Sequence, residues 1–108
     1  MDERQKRRAR NESLFREVNE RIDEIARDFG VAGESEFICE CVRLDCTKRF
    51  DMSLDEYERL RADPTAFAVV PGHQSPDVDD VVSDRGNYYV VRKRAGEPAR
   101  VAEEDAPR

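Results

Sequence analysis

The amino-acid sequence predicts a small α+β fold: a long N-terminal amphipathic helix, a short second helix and a small, mostly antiparallel sheet. Three observations carry this expectation. Apolar residues recur at steps of three and four across residues 12–28, the period of a helix with one buried face. Short runs of Val, Phe and Tyr follow, broken by Gly, Pro, Asn and Asp, as strands joined by turns require. Three cysteines, Cys39, Cys41 and Cys46, fall within eight residues, and the single histidine, His73, stands well apart from them.

In the first helix Leu14, Phe15, Val18, Ile22, Ile25, Ala26 and Phe29 share one face, Asn11 suits the N-cap, and Gly30 is the natural stop. Glu12 with Arg16, Glu17 with Arg21, and Asp23 with Arg27 each set an acid four residues before a base, which supports an exposed helical face. The apolar face is expected to dock on its own domain; the same spacing also suits a homodimer built on this helix. Residues 36–42 read as a strand with Phe37, Cys39 and Cys41 on one face and Ile38, Glu40 and Val42 on the other. Residues 49–52 suit a second short strand. Ser53 opens the second helix in a capping pattern with Glu56, Leu54, Tyr57 and Leu60 form its apolar side, and Asp63-Pro64 ends it. Residues 67–70 form a brief strand halted by Pro71-Gly72, the central pair of a type II turn that leads into His73. Val81-Val82 and residues 88–91 form a hairpin, its second strand apolar on both faces and therefore expected inside the sheet.

The chain's 108 residues give room for one domain. With 41% charged and 38% hydrophobic residues and no tryptophan, material for an apolar core is thin, so something besides apolar packing is expected to hold the fold. No segment reaches the roughly 18 apolar residues of a membrane span, which speaks against a membrane role. The start, Met1-Asp2-Glu3-Arg4, lacks the apolar stretch of an export signal, so a cytoplasmic location is expected. The net charge of -6 is uneven: +3 in residues 1–10, -7 in 11–94 and -2 in 95–108. This divides the chain into a basic flexible arm, 1–10, a single domain, 11–94, and an acidic disordered tail, 95–108.

An odd cysteine count without an export signal argues against a disulfide framework and for metal or thiol chemistry. Three thiolates and one imidazole complete a tetrahedral shell, and Zn2+ accepts that mixture readily. Cys39, Cys41, Cys46 and His73 are therefore the expected ligands of a zinc-stabilised domain. Glu40, Asp45 or a water is the reserve should His73 stand elsewhere. Arg43, Lys48 and Arg49 flank the motif, positioned to offset the charge of three thiolates on one zinc.

Phe37-Ile38-Cys39-Glu40-Cys41, Cys46, Glu56-Tyr57, Arg61, Pro64, Phe67 and Pro71-Gly72-His73 carry a wider resemblance, extended by residues 15–22 and Tyr89-Val90-Val91. Over about residues 11–94 the chain is similar to a group of short actinobacterial proteins without an established activity. That resemblance implies that the cysteines and His73 form one unit, and it supplies no function. The Cys-x-Cys-x4-Cys spacing is also similar to the zinc-binding post-SET segment of histone lysine methyltransferases, but the likeness ends at spacing.

These readings favour a non-catalytic zinc module that binds another protein, in a regulatory or stress setting. A closed shell leaves no chemistry at the metal, and the sequence offers no evident nucleophile, phosphate loop or paired acids. Asp77, Asp79 and Asp80 read as a solvated loop rather than a magnesium site. Two alternatives stand behind it. One is nucleic-acid binding through the basic arm and Arg92-Lys93-Arg94, which the acidic body opposes. The other is a zinc-thiolate redox sensor in which cysteine oxidation ejects the metal.

Overall fold

The computed structural model describes residues 2–106. Helix α1 runs over Glu3–Asp28 and starts nine residues before the predicted onset at Glu12. Asp2 caps it: its carboxylate accepts from the Gln5 amide at 2.8 Å, and the Gln5 side chain accepts from the Asp2 amide at 3.0 Å. With that box in place, a segment of Arg, Lys, Gln and Ala propagates the helix without help from an apolar face. Residues 3–10 are thus helical rather than a flexible arm; residue 1 lies outside the described residues. Asn11 sits inside the helix and donates to the Val42 carbonyl at 2.9 Å instead of capping.

The face that α1 buries is also not the predicted one. It consists of Glu12, Arg16, Asn19, Glu20, Asp23 and Ala26. Leu14, Val18, Ile25 and Phe29 are exposed, and Ile22 alone among the large aliphatic residues predicted there packs on the core. The cause is what α1 meets, namely backbone carbonyls and carboxylates that polar side chains can satisfy. Arg16 donates to the carbonyls of Pro64 at 2.7 Å and Ala102 at 3.0 Å and lies 4.6 Å from the Phe67 ring centre. Of the expected acid-base pairs on α1, Asp23 with Arg27 forms at 3.0 Å, whereas Glu12 pairs with Lys93.

Strands β1 (Glu34–Ile38) and β2 (Arg49–Ser53) form an antiparallel pair in which Phe37 faces Phe50. Ser53 then caps α2 (Leu54–Arg61), its hydroxyl accepting from the Glu56 amide at 3.0 Å. Strands β3 (Ala66–Val69), β4 (Asp79–Asp84) and β5 (Tyr89–Lys93) make a second antiparallel sheet ordered β3-β5-β4, with β5 inside as its two apolar faces imply. The predicted single sheet is therefore two. The first core cluster joins Phe37, Phe50, Met52, Leu54, Tyr57 and Tyr88 to their neighbours, with Phe37 and Tyr57 stacked at 4.5 Å. The second joins Phe67, Val69, Val91 and Ala102 to Cys39 and Cys41.

The predicted disordered tail is instead helix α3 (Glu97–Glu104) through most of its length. Gly96, at φ 102°, turns the chain, Pro98 suits the first helical turn, and Ala102 is buried. Residues 107 and 108 lie outside the described residues. No helix among those described is long and apolar enough to cross a membrane.

Candidate metal centre

The site lies where the chain passes from one sheet to the other. Asn19 of α1 accepts from the Ile38 amide and donates to the Ile38 carbonyl, both at 2.8 Å, and so fills the free edge of β1. Beyond Ile38 the backbone divides its bonds: the Cys39 amide donates to Lys48 at 3.0 Å, and the Glu40 amide to Ala68 of β3 at 2.9 Å. Residues 39–41 therefore touch both sheets. Because successive side chains alternate, Cys39 and Cys41 project one way and Glu40 the other.

The two remaining donors arrive on turns. The Cys46 amide donates to the Arg43 carbonyl at 3.0 Å, closing a tight loop that returns its thiol to the first two. After β3, the His73 amide donates to the Val70 carbonyl at 3.0 Å across Pro71-Gly72. Gly72 has φ 91°, as the third position of a type II turn demands. This turn brings a residue 27 positions beyond Cys46 to within 3.5 Å of it.

One donor atom from each of Cys39, Cys41, Cys46 and His73 lies within 4.8 Å of the others. His73 Nδ1 is 3.7 Å from Cys39 Sγ and 3.5 Å from Cys46 Sγ. A tetrahedral ion with metal-sulfur bonds near 2.3 Å and metal-nitrogen bonds near 2.0 Å would separate such atoms by about 3.6 Å. The donors fit a metal ion of that kind. Cys39 and Cys41 are buried, and Cys46 and His73 are half-buried at the rim.

Electrostatics within the cluster favour the thiolate at one of the three sulfurs, Cys41. A hydrogen bond from the Cys39 thiol holds Cys41 down to about 5, and the same bond pushes Cys39 well above the usual thiol range. Burial raises Cys46. The Val70 amide points at Cys39 Sγ from 3.2 Å, a backbone dipole suited to a sulfur anion. Arg43 and Arg49, which the sequence offers as counter-charges, instead pair with Asp45 at 3.9 Å and Glu36 at 3.2 Å.

Neither reserve ligand belongs to the cluster. Asp45 is exposed, and Glu40 is turned away and fully buried. The Glu40 carboxylate accepts from the Ala68 amide at 2.9 Å, Asn19 at 3.0 Å and the Tyr57 hydroxyl at 3.4 Å, with Arg61 3.8 Å away. Glu40 thus fixes the segment after β1 whose other side carries Cys39 and Cys41. Sequence reasoning missed that role; the signal was alternation, which sends the residue between two ligands inward. The acidic run is likewise occupied, with Asp79 2.7 Å from Lys93, Asp80 3.1 Å from Arg94, and Asp77 3.8 Å from Arg8.

No family model matches this chain, and no curated protein or solved structure matches it significantly.

Proposed function

We propose that the protein is a non-catalytic zinc module whose closed Cys39-Cys41-Cys46-His73 shell holds a regulatory fold that binds another protein. The observation that carries this reading is the mutual spacing of four protein donors within 4.8 Å. Such a shell leaves no position for water or substrate, the mark of a structural rather than a catalytic zinc site. Three thiolates and an imidazole also favour zinc over hard, oxygen-seeking cations. When bound, the ion supplies a fixed crosslink and no chemistry. The chain's own residues do the rest: Glu40 and Asn19 hold the strand, Gly72 sets the turn, and the Val70 amide faces a sulfur.

Elemental analysis of the purified full chain tests this reading. One zinc per chain is expected, lost in Cys46→Ser, with chelator abolishing the circular dichroism of the fold. A chain that carries no metal and stays folded in chelator overturns it, as does turnover of a hydrolysable substrate that depends on the metal.

A second reading, nucleic-acid binding, is supported by one arrangement: Arg4, Arg7, Arg8 and Arg10 gather on the helical start of α1 around Leu44 of the metal loop. Affinity for RNA or DNA that falls steeply with salt would favour it over protein recognition.

A further inference from the structure

Among the described residues, the stripe formed by Leu14, Val18, Ile25 and Phe29 is left uncovered. These side chains are 46%, 39%, 54% and 84% exposed. They lie on the side of α1 away from its buried polar face, and Phe15 and Ile22 are half-buried along one margin. In a chain so poor in apolar residues, an exposed stripe roughly 22 Å long at 1.5 Å per residue marks an interaction surface.

We propose that this stripe pairs with the same stripe of a second copy, the two α1 helices running antiparallel across a two-fold axis. Position along the helix identifies the occupant. Leu14 and Phe29 stand equally far from the midpoint between Arg21 and Ile22, and so do Val18 and Ile25. An antiparallel pair centred there sets Leu14 against Phe29 of the second copy and Val18 against Ile25, small or branched residues opposite larger ones. A two-fold interface needs this self-complementarity, and an unrelated partner would not impose it.

Charge selects the direction. Arg4, Lys6, Arg7, Arg8 and Arg10 crowd the N-terminal part of α1, while Glu17, Glu24 and Asp28 are exposed beside and beyond the stripe. A parallel pair would bring the two basic segments together. The antiparallel pair keeps them at opposite ends, sets each near the C-terminal, acidic end of the other helix, and opposes the helix dipoles.

This inference stands independently of the metal. Sedimentation equilibrium of the full chain over a concentration series should show twice the mass of one chain. Val18→Glu and Ile25→Glu, both at exposed positions, should each return a single-chain mass with unchanged circular dichroism. Leu14→Phe should weaken the dimer about tenfold by setting a second large ring against Phe29 of the other copy, and Phe29→Leu in the same chain should restore it. A monomer at every concentration overturns the proposal, as does a dimer that both glutamate variants leave intact. A dimer broken by those variants but indifferent to the exchange of Leu14 and Phe29 overturns the antiparallel register.

Discussion

Lys93 of β5 reaches two carboxylates, Glu12 of α1 at 2.6 Å and Asp79 at 2.7 Å, so one buried ammonium serves two acids. For Glu12 that attraction does not repay burial: desolvation pushes its carboxyl up to about 7 against the pull of Lys93 and Arg8, with Asp79 adding to the rise. The sign of the linkage follows. In the unfolded chain Glu12 loses its proton near 4.5 and in the fold near 7, so between those values the unfolded state binds fewer protons. Stability from this group is therefore complete below about pH 4.5 and is lost as pH rises to 7, by about 3 kcal/mol at full shift. Glu12→Gln removes the titration. Denaturant unfolding of both proteins from pH 5 to 8 should show the variant gaining on the wild type as pH rises, the metal ligands contributing equally to each. A constant difference would mean that Glu12 is ionised throughout and that Lys93 outweighs its burial.

The elements show how far the sequence was legible. Ser53, Pro71-Gly72 and the two-faced apolar run of β5 act through local geometry, and each does what its residue type requires. Cys39, Cys41, Cys46 and His73 were legible because so few chemistries need three thiols beside one imidazole. The orientation of α1 was not. Periodicity located its apolar stripe but could not tell an inner face from an outer one, because Arg16 and Asn19 find partners only on distant strands and on α3. The same blindness hid α3, whose acidic composition suggests disorder while Ala102 covers Phe67 and its carbonyl receives Arg16. Ending the chain after Arg94 strands the Arg16 donor and opens that cluster. A loss of about 3 kcal/mol is expected, seen as a fall of roughly 15 °C in Tm. A drop below about 4 °C would show that α3 is an accessory and that Arg16 is satisfied without it.

At the scale of the whole molecule, α1 sets the form. Its 26 residues span about 39 Å of a body 42 Å long and 25 to 27 Å across. Two small sheets lie along it, each with its own apolar cluster, and the two-stranded one is too small to stand alone. Residues 39–41 and the four donors are where they meet: Cys39, Cys41 and Cys46 lie on the path from β1 to β2, and His73 follows β3. A bound zinc worth roughly 10 to 16 kcal/mol exceeds or matches the 5 to 15 kcal/mol of net stability common in small domains. Removing it should therefore unlock both sheets at once. Glu40 makes the coupling tighter, since its amide and carboxylate both hold Ala68 while Asn19 and Tyr57 hold it from α1 and α2. Hydrogen exchange after chelator addition can read this directly. Amides of Phe37 and Phe50 in the first sheet and of Ala68 and Val91 in the second should lose protection at one common rate. If Ala68 and Val91 stay protected while Phe37 and Phe50 exchange, the ion holds only the β1-β2 pair, and the three-stranded sheet with α3 is a folding unit of its own.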